Sequence, residues 1–556
     1  MEPLTKKQSM MKKLLMICSW ALLLGGCKSE SGPSGPDGDK PVPPPSAELL
    51  QKIEDLNAGL VSLKALAEAV SRSEVRALAE AEGGVLLTFR DGTQITVACD
   101  AEAAEAPLVG IAADGDVYYW TLAAEKDTPW LKDAAGAKMP VSGPVPVMGR
   151  DDKGFWTVTT DAAATPWQIV NAAGNPIETT GDERVALFRS VTAGAGKVEI
   201  LLADGGTLSA AQVNDLSAAG TANCYVVPAP GKYVFNAKVR GNGAGEGVGF
   251  EPAISLTDGM TADWLWTDSE GLVSDVALDK TSGDISLTVG DGRGNALVAL
   301  MEDGVIVWSW HVWVTDAPQT MTYKNGTVFM DRNLGAVGTT VGGTDAYGMY
   351  YQWGRKDPFY GGKKAEASAN AFLEAKNGTV LNPAYPALGW AFSKSTTTTA
   401  GAAANPMTFY NNTVGTGYNW LASPNPKLWG ESKTLNDPCP PGYKIPKTDA
   451  WEDMSAGRQY IDGVSVWDGA NYGMTYTHEG QTAWYPAQGY RNYSSGAIVG
   501  LRASTGGSGA YWSVEASSVK SYHLFFRSKL SSGTGSINIE LDKERSYGYT
   551  VRCCKE

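Results

Sequence analysis

Two stretches of this chain repeat each other, and the repeat narrows the fold more than any other feature. GDVYYWTL…TPWLKDAAGAKMPV, from Gly115, is echoed by KGFWTVTT…TPWQIVNAAGNPIE, from Lys153. Trp120 answers to Trp156, Trp130 to Trp167, and Ala135-Gly136 to Ala173-Gly174. Each copy reads as strand, turn, strand, with an aromatic on one face and a glycine turn. Such aromatics either line a sugar platform or form the core of small repeated sheets, and the core is the commoner use. A second unit flanks the pair. GVLLTFRDGTQITV (84–97) sets two alternating apolar runs around Asp91-Gly92, a hairpin signal, and GKVEILLADGGTLSA (196–210) repeats it.

Ahead of these units the period changes. Leu49, Ile53, Leu56, Leu60, Leu63, Ala67 and Val70 recur in steps of four and three, with Ser46 as a candidate N-cap and Gly83-Gly84 as a stop. The spacing predicts a helix over 47–82 with one apolar stripe. That stripe meets partner helices in a coiled coil, such as a homotrimer, or docks on its own domain. The first is the expectation adopted here.

A chain of 556 residues is too long for one core, and three or four domains are expected. With 65 glycines, 18 tryptophans and 19% charged residues it suits sheets and long loops better than helix bundles. The formal charge of −14, with no basic run, argues against nucleic acid, because nothing would neutralise phosphates.

The beginning reads MKKLLMICSWALLLGGC. Lys12 and Lys13 precede a short apolar core, 14–24, too short to span a bilayer and suited to a cleaved export signal. Leu24-Gly25-Gly26-Cys27 resembles the bacterial lipobox, which implies lipidation of Cys27 as the mature N-terminus. The expected signal is 1–26. A Pro/Gly/Ser-rich tether, 27–46, follows. Lys28 and Glu30 resemble, in part, the surface-export signal of Bacteroidetes lipoproteins. An outer-membrane lipid anchor with a surface-exposed body is therefore the expected address.

The helix and repeats, 47–82 and 83–211, resemble the N-terminal module of Bacteroides surface lipoproteins, also found ahead of polysaccharide lyase family 29 catalytic domains. The resemblance brings no lyase site with it. From 221 to 316 short alternating runs broken by Gly, Pro and Asp predict a β-sandwich of immunoglobulin type. Its series NCYVV…PGKYVF…GNALVAL…VWSWHVWVTD resembles a segment that often precedes the next domain in Bacteroidetes proteins. His311 within it reads as a structural histidine among tryptophans.

From 318 to 556 five motifs occur in order: VFMDRNLGA, YGMYYQWGRKDPF, DPCPPGYKIPKTDAWEDM, AYWSVEA and YGYTVRCCKE. Together they resemble the Fibrobacter succinogenes major paralogous domain, which looks like a relative of the C-type-lectin-like fold. The fold class expected is thus multidomain and mainly β: a coiled-coil helix, repeated small β units, an immunoglobulin-like sandwich and a C-terminal α+β lectin-like domain. Pro446 should end a strand, Thr448 or Asp449 should cap the next helix, and Trp451 should fall onto the sheet. The resemblance implies a Cys439–Cys553 disulfide, with Cys554 as the alternative partner for Cys439. Cys99 and Cys224 are expected to be reduced and buried.

Three function classes follow. A non-catalytic adhesin for glycan or protein ligands fits anchor, tether, stacked modules and terminal head. Its candidate ligand residues are Trp467, Tyr472, Trp484, Tyr490 and Tyr493, large rigid faces with polar tips; the alternative is that at least half of them are core. An enzyme lacks its usual parts: three histidines, no H-E-x-x-H, C-x-x-C, G-x-S-x-G or Walker loop, and no cysteine pair for formylglycine-type chemistry. Only a glycosidase carboxylate pair escapes this test. A filament subunit is the third class. No metal, cofactor or catalytic residue is expected.

Overall fold

The computed structural model describes residues 44–99, 108–122, 130–133, 135–160, 164–171, 173–179, 186–194, 196–243, 253–361, 378–411, 418–501, 507–528 and 537–556. Cys27, the expected export signal over 1–26 and most of the expected tether over 27–46 lie outside the described residues. The chain is mainly β, built from many small sheets.

Helix α1, Ala47–Val70, starts where Ser46 turns extended and its hydroxyl accepts from the Leu49 N–H at 3.1 Å. Its apolar stripe does not face outward. Leu56, Leu60, Leu63 and Leu66 are buried in one core with Val97, Trp120, Trp156, Val198 and Leu208 of the following strands. The expected coiled-coil seam is corrected: it is covered by strands of the same chain, and the outer face offers scattered apolar residues such as Leu50 and Val61. The helix is also shorter than expected. Residues Val75–Ala81 form strand β1, although Ala, Leu and Glu favour helix. Pairing decides the matter, because β1 forms an antiparallel ladder with β2 (Gly84–Phe89). Gly83, at φ +74°, turns that hairpin instead of stopping a helix.

Strand β3 (Gln94–Ala98) completes the first three-stranded meander. The repeats follow as β4 (Val109–Asp114) with β5 (Val117–Leu122), then β6 (Val147–Arg150), β7 (Trp156–Thr159) and β8 (Trp167–Gln168). A second meander, β9 (Phe188–Gly194), β10 (Lys197–Leu202) and β11 (Thr207–Ala211), mirrors the first.

Each repeat closes a ring of three backbone hydrogen bonds. Trp120 N–H donates to Met139 O, Met139 N–H to Leu131 O, and Leu131 N–H to Trp120 O. In the second copy Trp156, Ile177 and Ile169 do the same. The Ala-Gly turns match as well: Asp133 Oδ1 accepts from the N–H groups of Ala135 and Ala137, and Asn171 Oδ1 from those of Ala173 and Asn175. Trp120 and Trp156 are core, Trp130 is half-buried and Trp167 is exposed.

Two sheets come next. One runs β12 (Asn214–Asp215), β14 (Gly231–Asn236), β17 (Asp284–Val289), β16 (Val273–Asp279). The other runs β13 (Cys224–Val227), β19 (Val305–Val314), β18 (Gly294–Glu302), β15 (Met260–Thr267). Phe235, Ile285, Val298 and Trp310 fill the core between them. Arg76 of β1 reaches this unit, pairing with Asp215 at 2.7 Å and Asp284 at 3.0 Å.

Beside a core of its own on each side, one core runs across the boundary expected at 316–318. A single cluster joins Cys224, Trp266, Leu297 and Trp313 to Met330, Tyr351, Trp353 and Trp512. Strand Val380–Leu381 of the C-terminal part pairs with β15 and so extends the second sheet. Polar side chains bolt the join. Asn223 donates to the carbonyls of Leu435 (2.7 Å) and Asp437 (2.9 Å), while accepting from Trp308 Nε1. Asn295 donates to Gly335 O and accepts from His311 Nε2, and Trp313 Nε1 donates to Ala336 O. His311 is thus structural, and burial lowers its pKa to about 3.

In the C-terminal part, strands Thr320–Thr322, Val328–Met330, Cys554–Lys555 and Tyr443–Lys444 share one sheet, bringing its start and end together. The Cys439–Cys553 disulfide is formed, and Cys554 is a buried free thiol. Cys224 is buried as expected, whereas Cys99 is only half-buried. The element after Pro446 is a 3-10 helix, Thr448–Met454. Its cap differs from expectation: neither Thr448 nor Asp449 caps it, and Glu515 accepts from the Thr448 N–H at 2.9 Å. Trp451 is fully buried and stacks near Phe329.

Candidate functional site

The five aromatics singled out above fall into two groups. Trp467, Tyr472 and Trp484 belong to the antiparallel sheet Ser465–Asp468, Gly473–His478 and Gln481–Pro486, or to its turn. Trp484 is core, packed so tightly over Gly473 that a side chain there would meet the indole. Trp467 leans on Phe526 at 6.4 Å. Tyr472 holds a left-handed backbone, φ +54°, beyond an Asp468 turn that accepts from Ala470 and Asn471 N–H.

Tyr490 and Tyr493 meet elsewhere, with three tyrosines that sequence reasoning missed. Strand Tyr490–Arg491 pairs with Gly548 of Gly548–Tyr549. That places Tyr490 5.7 Å from Tyr547 and 5.5 Å from Tyr549. The chain then folds back over Asn492, whose side chain accepts from Ser494 N–H, and presents Tyr493 5.0 Å from Tyr547. Tyr418 arrives from another loop, its carbonyl accepting from Ser546 N–H, and lies 4.5 Å from Tyr493. Lys543 Nζ stands 5.8 Å over Tyr547.

The result is an aromatic platform graded from wet to dry. Tyr418 is 39% exposed, Tyr493, Tyr547 and Tyr490 are half-buried, and Tyr549 is core against Trp512. Partial burial raises the Tyr493 phenol, helped by Tyr418 and Glu544, and burial likewise raises that of Tyr547. These hydroxyls therefore stay protonated and able to donate. Tyr418 sits at φ +54°, a costly conformation for a bulky residue that neighbouring packing must impose. Clustered, mutually tilted rings with protonated tips can bind an apolar face and hydrogen-bond its edge. The missed residues carried a weak signal: Tyr418 in GTGYNW and Tyr547 and Tyr549 in SYGYT are aromatics beside glycine. Nothing in the sequence pairs them.

One buried set has the parts of a nucleophilic site. Ser309 Oγ donates to Asp357 Oδ1 at 2.7 Å, and Lys356 Nζ lies 2.6 Å from both Ser309 Oγ and Asp357 Oδ1. All three are at most 3% exposed, and the adjoining space is about 10 Å³, so no substrate reaches them. They join the sandwich to the GRKDPF loop. Among the described residues no cluster of His, Cys, Asp or Glu is placed to hold a metal, and no helix is long and apolar enough to cross a membrane.

Residues 46–210 match a family model described as a domain of unknown function, DUF4988. The match begins at the cap of α1 and ends in β11, so it coincides with the helix-and-repeat module and leaves the rest of the chain untouched. No curated protein and no solved structure matches the chain.

Proposed function

We propose that this is a lipid-anchored surface protein that binds a glycan or protein ligand through its C-terminal head without breaking bonds in it. The tyrosine platform of Tyr418, Tyr493 and Tyr547 carries the reading, because it leaves rings in water where packing alone would have covered them. The anchor is Cys27 in the outer membrane of a Bacteroidetes-like cell, with the tether ahead of the DUF4988 module. The sandwich order supports an immunoglobulin-type assignment: first, third, sixth and fifth strands in one sheet, second, eighth, seventh and fourth in the other. The ordered head motifs support the Fibrobacter succinogenes major paralogous domain and its lectin-like superfold.

The filament reading is less favoured. A donated strand needs a free sheet edge, and at β15 that edge is taken by the chain's own Val380–Leu381.

Two measurements test the proposal. Cys27→Ser should move the protein from the membrane to the soluble fraction, and protease added to intact cells should remove the wild-type head. The full chain should bind at least one ligand on combined glycan and protein arrays, and Tyr418→Ala with Tyr493→Ala should weaken that binding at least tenfold. Retained membrane attachment of Cys27→Ser, or binding indifferent to both tyrosines, refutes the corresponding half.

A further inference from the structure

A second site lies inside the repeat module. Gly110 of β4 faces Thr121 of β5 across the hairpin. A Cβ at Gly110 would stand 2.9 Å from Asp204 Oδ2 and 3.2 Å from Thr121 Oγ1. The missing side chain therefore leaves a carboxylate and a hydroxyl converging on one point. Around that point is a cleft of about 490 Å³, bounded by Ile111, Leu202 and Tyr118. Small-ligand sites typically occupy about 300–1,000 Å³, mostly apolar with a few convergent polar groups.

The turn between β10 and β11 presents the carboxylate. Asp204 Oδ1 accepts from Gly206 N–H at 2.8 Å, which commits that oxygen, while Oδ2 is the one over Gly110. The second repeat supplies an internal control. Gly149 faces Thr157 there, and its Cβ would stand 3.0 Å from Thr157 Oγ1, but no carboxylate comes near. The Gly–Thr pair thus belongs to the architecture of the repeat. The acid has been added to the first copy alone, by the neighbouring meander.

The chemistry of the lining selects a ligand class. A carboxylate accepts from hydroxyls, and a threonine both donates and accepts. The half-buried Tyr118 and the buried Ile111 give an apolar wall for a C–H face. No lysine or arginine is among the residues lining the cleft, so an anionic ligand would have no counter-charge beside Asp204. A lone ammonium would use Asp204 but leave the hydroxyl and the apolar wall idle. We propose that the Gly110–Thr121–Asp204 cleft binds a residue of a neutral glycan, with sugar hydroxyls on Asp204 and Thr121 and a C–H face against Tyr118. This site does not depend on the head's platform, and the two can fail separately.

The test uses the full chain carrying Tyr418→Ala and Tyr493→Ala, so that the platform does not contribute, on an array of neutral and anionic oligosaccharides. Binding to some neutral oligosaccharide and to no anionic one is expected. Asp204→Asn should weaken it at least tenfold with an unchanged melting temperature, because the amide oxygen still accepts from Gly206. Gly110→Val should fill the cleft and abolish binding. A blank neutral array, a preference for anionic glycans, or binding that survives both substitutions overturns the proposal.

Discussion

The sharpest consequence of the join between sandwich and head concerns Lys356. Its ammonium is 3% exposed and donates to Ser309 O at 2.9 Å, to Ser309 Oγ and to Asp357, while lying 4.5 Å over the Trp308 ring. Burial lowers its pKa, opposed by Asp357, which marks a charge that has lost its water and depends on its partners. Lys356→Met removes one member and leaves Asp357, 2% exposed, with its Ser309 hydrogen bond and only the more remote charge of Arg355. Breaking a buried pair in this way costs about 3–5 kcal/mol. Replacing both members by apolar residues is far milder, so Lys356→Met with Asp357→Leu should recover most of the loss. Urea unfolding of the full chain, followed by tryptophan fluorescence, measures both. The midpoint of the transition that unfolds sandwich and head together should fall in the single variant and largely return in the double one. A single variant within about 0.5 kcal/mol of wild type, as for an ordinary surface change, would refute the coupling. So would a head that unfolds separately while the sandwich persists.

Other predictions concern the cross-link, the histidines and the helix. Opening Cys439–Cys553, which spans 114 residues, should cost about 4.8 kcal/mol in the chain-entropy model and lower the thermal midpoint of the head. His311 and His523 are buried and held near pKa 3 by desolvation, against 6.5 when free. The unfolded chain therefore binds protons that the folded chain refuses, and stability should fall as pH drops from 6.5 towards 3, with a limiting slope of about 2.7 kcal/mol per pH unit for the two. His523→Phe should halve that slope, since aromatic neighbours Trp512 and Tyr549 already surround the ring. A slope unchanged in that variant would assign the acid sensitivity elsewhere. Leu60→Ala, at a fully buried position, should destabilise the N-terminal module by about 2–5 kcal/mol, whereas Val61→Ala on the outer face should not, as thermal melts can show.

Local signals were legible where the physics is local. Asp91-Gly92 turns its hairpin, Ser46 caps its helix, and the two repeats close identical backbone rings because matching residues face matching geometry. Residues 75–81 misled, because helix propensity is weaker than a strand ladder waiting at β2. The leucine stripe announced burial but not its partner, since an apolar face is satisfied equally by another copy or by its own strands. Glu515 caps the Thr448 helix from 67 residues away, which no local motif can signal. Two of the platform's five tyrosines were named from sequence, and the other three needed the fold.

By itself, then, the amino-acid order determined short-range matters: which runs are extended, where glycine turns the chain, which stripe must leave water. Tertiary structure alone decided who meets whom. It set the leucines of α1 on their own module, joined sandwich and head through a shared core, carried Tyr418 to Tyr493 and placed Asp204 over Gly110. The reason is that turn and periodicity energies depend on neighbours a few positions apart. Burial and hydrogen-bond pairing depend instead on distance in space, which the order of residues encodes only through the whole fold.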